Sequence, residues 1–148
     1  MTNKANMGKW AEKEAQSHLE SCSRQSHDFA YHRFPDARAA RGALAAQPSD
    51  FLVSFASRNG NRTIYLEVKE SQNPNRLSKA KIGQYGMLLK FHLTNAEVLV
   101  LVFMSTHNKW VYLTGADLFA YDECPPSFPL TNLPTYASAA EALEEYFK

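Results

Sequence analysis

Along residues 4–22, small and apolar side chains recur at helical spacing. Met7, Ala11, Ala15, His18 and Cys22 form one stripe with Leu19 at its edge, which predicts an amphipathic first helix. "FAYHRF" (29–34) predicts a short strand ended by Pro35, and the Ala/Arg-rich stretch after it lacks an apolar stripe and reads as an exposed excursion. "FLVSFA" (51–56) and "TIYLEVKE" (63–70) predict two strands. They are joined through Asn59-Gly60, a pair that tolerates positive φ and favours a hairpin. Residues 75–92 predict a helix whose Leu77, Ile82, Tyr85, Leu88 and Leu89 share a face, although Gly83 and Gly86 lower its propensity. "EVLVLVFM" (97–104) is apolar nearly throughout, as a strand buried on both faces would be, and "WVYLTG" (110–115) predicts another strand. Prolines punctuate residues 116–136, which are expected to be irregular. "SAAEALEEYF" (138–147) predicts a closing helix with Ser138 as N-cap and Glu141 completing a capping box. This order predicts an α/β fold with a mixed central sheet flanked by helices.

A chain of 148 residues is long enough for one substantial core, so a single domain over 1–148 is expected. Within it, about 35–48 reads as an insertion and about 115–148 as a less regular tail. A hydrophobic fraction of 45% excludes a disordered chain. No uncharged apolar run approaches the roughly 18 residues of a membrane span, and no signal-peptide pattern opens the sequence, so a cytoplasmic location is expected (the host's, if the source is a phage). Cys22 and Cys124 are too few for a disulfide scaffold or zinc site, and the 5 histidines are dispersed. Net charge is only +1, but it is divided. Residues 1–92 hold 14 Lys/Arg against 8 Asp/Glu, whereas residues 93–148 hold 2 against 7. That split fits a polyanion partner for the N-terminal part as well as it fits uneven solubilising charge.

The informative charges interrupt strands. In "TIYLEVKE", Ile64, Leu66 and Val68 share the apolar face, and Tyr65, Glu67 and Lys69 share the other, Glu67 and Lys69 within ~7 Å of each other. On a solvated face such a pair is an ordinary surface ion pair worth under about 1 kcal/mol. Antiparallel pairing through the Asn59-Gly60 turn would also bring Asp50 to the same end of the sheet. Two carboxylates and an amine at one sheet end suit metal-assisted phosphodiester hydrolysis. Asp50 and Glu67 would be oxygen ligands for Mg²⁺, the Val68 carbonyl a further one, and Lys69 would orient the attacking water and stabilise charge at phosphorus.

"PSD" (48–50) followed by "EVK" (67–69) resembles the signature of PD-(D/E)XK nucleases. "GKWAE" (8–12) resembles the Gly-x-x-x-Glu of the first helix in Holliday junction resolvases of that superfamily, and Gln84 resembles its helical glutamine. The resemblance covers about residues 7–113 and is nearest to RecU-like and phage resolvases. It implies the restriction-endonuclease-like core in αβββαβ order, Mg²⁺-dependent DNA cleavage with Mn²⁺ as a substitute, a homodimer, and Glu12 as a further metal-binding acid. Two departures stand: Ser49 separates Pro48 from Asp50, and the helix offers both Glu12 and Glu14, between which periodicity does not choose.

Arg33, Arg38 and Arg41 precede this site, and Arg76, Lys79 and Lys81 follow it, as candidate phosphate contacts. The expected activity is a structure-specific endonuclease acting on branched DNA in recombination, without a membrane role. A restriction- or exonuclease-type enzyme, or a non-catalytic DNA-binding module on the same fold, are the alternatives. Trp110 is expected in the core or an interface, and His18 at the core edge of the first helix.

Overall fold

The computed structural model describes residues 6–36 and 47–148. Its centre is a five-stranded mixed sheet in the order β1-β2-β3-β5-β6. These strands are β1 (Phe29–Arg33), β2 (Phe51–Ser57), β3 (Gly60–Ser71), β5 (Glu97–Met104) and β6 (Lys109–Thr114). β3 and β5 run parallel, while every other adjacent pair in this sheet is antiparallel. The α/β class and flanked mixed sheet expected from the sequence are the ones observed.

Helix α1 (Met7–Gln25) covers one face together with α4 (Ala139–Phe147). Ala11, Ala15 and Leu19 of α1 are fully buried there against Phe51, Val53, Ile64 and Leu66. Leu19 is thus the stripe's centre, while His18 and Cys22 are half-buried. Small Ala side chains let the helix approach the sheet closely, and Trp10 and Trp110 each pack on Phe103, with ring centroids 4.8 and 4.9 Å away. The second face is covered by α2 (Tyr85–Leu93), α3 (Gly115–Phe119) and a two-stranded ribbon of β4 (Arg76–Ser78) and β7 (Ser127–Pro129). β5 lies between the layers and is buried at all but its first residue, which explains its unbroken apolar run.

Three expectations need correction. The helix foreseen over 75–92 begins only at Tyr85; before it lie strand β4 and a single 3₁₀ turn, Lys79–Lys81. Leu77 is buried as foreseen, but by strand pairing with Phe128. The proline-rich tail is more regular than expected, because it supplies α3, β7 and the buried side chains Phe128 and Leu130. Pro129 fits because its strand is only three residues long and pairs with β4 alone. At α4, Ser138 Oγ does accept from Glu141 N, but Glu141 returns its bond to Ala137 N and not to the cap residue. A complete capping box stands instead at Thr114 and Asp117, at the start of α3.

In the hairpin turn only Gly60 takes a positive φ, 114°, and Asn59 does not. Arg62 then fastens α4 to the sheet. It pairs with Glu97 at 2.7 Å, donates to the Tyr146 carbonyl at 3.2 Å and lies over the rings of Phe55 and Tyr146.

Because Phe128 is fully buried, Phe128→Ala is expected to cost roughly 3–5 kcal/mol by chemical denaturation. Leu93→Ala, at a side chain 71% exposed, is expected within about 0.5 kcal/mol of wild type.

Candidate active site

The last rung between β2 and β3 is Phe51↔Leu66, yet β3 continues to Ser71, paired from Glu67 onward with β5 alone. On its other edge the backbone of residues 67–71 has outrun its neighbour. Asp50, one residue before β2, fills that gap: its Oδ2 accepts from Val68 N at 2.8 Å. A strand residue's N–H and C=O point to the same edge, so the Val68 carbonyl opens on the same side as Asp50. Asp50 is itself held, since its carbonyl accepts from Phe34 N at 2.9 Å. Ser49, buried to 5% exposure, donates from Oγ to the Phe51 carbonyl at 2.8 Å. The serine that interrupts the Pro-Asp pattern therefore anchors the bend that delivers the acid.

Strand alternation sends Val68 into the α1 layer and Glu67 and Lys69 to the other face. That face is not solvated at Glu67, which stands beside the buried Val100 and is only 2% exposed. Lys69 Nζ lies 3.2 Å from Glu67 Oε1. Among the described residues, Glu67 Oε2 is the single buried side-chain polar atom with no hydrogen-bond partner while both acids are ionised; only with Glu67 protonated can the two carboxyls share a hydrogen bond. Burial, and then the charge of Asp50, push the Glu67 carboxyl up to about 8, against the lowering influence of Lys69.

Asp50, Glu67 and Lys69 line a cleft of about 510 Å³ that Glu12, Arg33, Lys81 and Gln84 also enter. Where β2 has stopped, side chains from both layers can meet, and so Glu12 of α1 reaches the cleft. Glu14 is exposed and does not line it. Glu12 is engaged by Arg33, whose Nε and Nη2 donate to Oε1 at 3.1 and 2.9 Å. Gln84 lines the cleft from the N-cap position of α2, one residue before the helix.

The donor set fits a divalent cation. Two carboxylates, one of them buried with an unpartnered oxygen, are costly together unless a proton or a cation neutralises them. Mg²⁺ is commonly held by one or two carboxylates, with water completing its shell. Among the described residues, no group of three or more His, Cys, Asp or Glu is arranged to hold a metal ion, so Glu12 shares the cleft without closing a three-acid cluster.

Of the proposed phosphate contacts, Arg33 and Lys81 line the cleft. Lys81 Nζ is steadied by the Glu70 carbonyl at 2.7 Å and Glu70 Oε2 at 3.4 Å. Arg76 and Lys79 lie outside the cleft: Arg76 donates to Ser127 Oγ, and the Lys79 ammonium sits 5.7 Å from the Tyr85 ring centre. Arg38 and Arg41 fall outside the described residues. Tyr65 stacks on Phe91, centroids 4.3 Å apart, and so packs the second layer. Sequence reasoning missed Ser49 and Glu70. Ser49 was visible as the break in the motif, whereas nothing local marked Glu70 as the partner of Lys81.

No family model matches the sequence, and no curated protein matches it. Several solved structures are similar to it, among them these two. Hjc, a Holliday junction resolvase from the archaeal hyperthermophile Archaeoglobus fulgidus, matches over 91% of this chain and 99% of its own, with 18% identity and a TM-score of 0.49. D212, a nuclease from a fusselovirus, matches over 100% and 98%, with 8% identity and a TM-score of 0.48. Both scores fall below one half, so the functional reading rests on the geometry of the cleft.

Raising the folded-state pKa of Glu67 from 4.5 to about 8 has a definite sign. The unfolded chain releases the proton first, so this group's contribution to stability falls as pH rises through that window and is level outside it. In chelator, wild type is expected to lose stability on the order of a few kcal/mol relative to Glu67→Gln over that interval. Denaturant melts of both proteins at pH 5, 6.5 and 8 check this.

Proposed function

We propose that this chain is a metal-dependent DNA endonuclease of the PD-(D/E)XK kind, acting on branched DNA as a homodimer, with Mg²⁺ as its metal and Mn²⁺ able to replace it. The observation that carries this reading is the buried Glu67, its Oε2 unpartnered, beside Asp50 and in contact with Lys69. Asp50, Glu67 and the Val68 carbonyl would hold the ion, with Glu12 within the same cleft. When bound, the ion supplies Lewis acidity toward a phosphodiester oxygen.

The chain's own groups do the remainder. Glu67 must ionise to serve as a ligand, so metal loading releases its proton. Lys69, a quarter exposed, can reach the cleft while anchored to Glu67; there it orients the attacking water and stabilises negative charge growing on the phosphate. Gln84 offers an amide donor from the start of α2. Arg33 and Lys81 supply positive charge to the DNA backbone, a contact that positions the strand without reading its sequence. The resolvase-like part of the reading is supported by the Gly8–Glu12 motif, whose acid does line the cleft. A two-fold dimer would set two such sites against a two-fold symmetric junction.

The test compares wild type, Glu67→Ala and Lys69→Ala on labelled four-way junction, linear duplex and single-stranded DNA, with Mg²⁺ present or chelated. Paired cuts at the junction alone are expected, Mg²⁺-dependent and reduced at least roughly 10²-fold in both variants, with junction binding retained. Cleavage of all three substrates would keep the nuclease and remove the junction preference. Tight binding without cleavage in Mg²⁺ or Mn²⁺ would replace the enzyme with a DNA-binding module.

A further inference from the structure

Beside the cleft lies a second hollow, about 550 Å³, lined by Gln72, Asn73, Arg76, Ser78, Lys81 and Ser127, with Ser71 at its base. Lys81 lines both, so the two are neighbours on one surface. Apart from Ser71, whose hydroxyl is committed to backbone carbonyls, every side chain in the hollow can donate a hydrogen bond, two are cationic, and no carboxylate is among the described lining residues.

This chemistry follows from the pairing of β4 with the tail strand β7. Leu77↔Phe128 is the inward pair, and both residues are fully buried in the second layer. Alternation then turns Arg76, Ser78 and Ser127 to the opposite side. Ser78 and Ser127 are directly paired, and Arg76 reaches across to Ser127, its Nη1 donating to Oγ at 2.8 Å. The loop between β3 and β4 is equally ordered. Ser71 Oγ lies 2.8 Å from the Asn73 carbonyl and 3.0 Å from that of Arg76, and Asn73 Oδ1 accepts from Asn75 N at 2.9 Å. Leu130 N donates to the Asn75 carbonyl at 2.8 Å, so the tail braces this loop as well.

We infer that this hollow is a second phosphate site, which takes a phosphodiester group of the nucleic-acid strand next to the one in the catalytic cleft, with Arg76 as its principal cation and Ser127 as its neutral donor. The inference rests on the nuclease reading for the identity of the strand. It gives the C-terminal tail a role in substrate binding, although its overall charge is acidic. Lys81, tied to Glu70 between the two hollows, is the cation that bridges consecutive phosphates.

Wild type, Arg76→Ala, Arg76→Lys and Ser127→Glu are titrated with fluorescent duplex and junction DNA in chelator over a salt series, with Lys148→Ala as a control on the α4 side. Melting temperatures are taken alongside. Arg76→Ala is expected to reduce the slope of log affinity against log salt by about one and to weaken binding several-fold. Arg76→Lys should keep the slope, Ser127→Glu should weaken binding by like-charge repulsion, and Lys148→Ala should match wild type. An unchanged slope in Arg76→Ala overturns the site, as does an equal loss in Lys148→Ala. If Ser127→Glu melts early, the exposed Arg76 decides alone. None of these titrations requires cleavage. A wild type that binds through Arg76 without cutting removes the nuclease reading and leaves the phosphate site. One that cuts while ignoring Arg76 removes the site alone.

Discussion

The hydrogen bond from Val68 N to Asp50 Oδ2 governs the functional end of the molecule. β3 is five residues longer than the part that β2 pairs, and a half-buried strand edge cannot leave its donors unpaired without cost. A carboxylate satisfies that edge where a further strand residue otherwise would. In doing so it carries negative charge to within interaction range of Glu67, which the valines of β5 have already removed from water. The polar accounting of one sheet edge thus sets two carboxyl groups together that do not both ionise without cost.

That pair stands among close-packed layers. β5 is packed on both faces, α1 closes one side, and α2 with the β4–β7 ribbon closes the other. Arg62 and Glu97 lock α4 onto the far end of the same strands. Lys69 offsets part of the Glu67 charge, and under the proposed reading a divalent cation would complete the balance. If Glu67 holds a metal as proposed, stability and function pull in opposite directions there: an apolar or amide side chain would suit the core better, and only an ionisable one can exchange its proton for a metal.

Much of this was legible in the sequence because it depends on local periodicity. The α1 stripe, the alternation in β3 and the unbroken β5 run each report which side of one element meets the core. The convergence of Asp50 with Glu67 and Lys69 was also legible, since a short turn sets a hairpin's register. Gly83 and Gly86 hinted that 75–92 was a weak helix, but the break into β4 could not be read locally. Leu77 serves a helix or a strand equally well until Phe128, distant in sequence, pairs beside it. The irregularity assigned to the tail failed for the same reason, because proline excludes a central strand and not a short ribbon.

The sequence alone therefore determined the layered α/β plan, the strand that carries Glu67 and Lys69, and the acid that the hairpin returns to them, all through side-chain spacing over a few residues. Tertiary structure decided the burial of Glu67, the entry of Glu12 and not Glu14 into the cleft, the engagement of Lys81 by Glu70, and the union of β4 with the tail. Each of these depends on which distant segments exclude water from a given atom, and no local spacing encodes that.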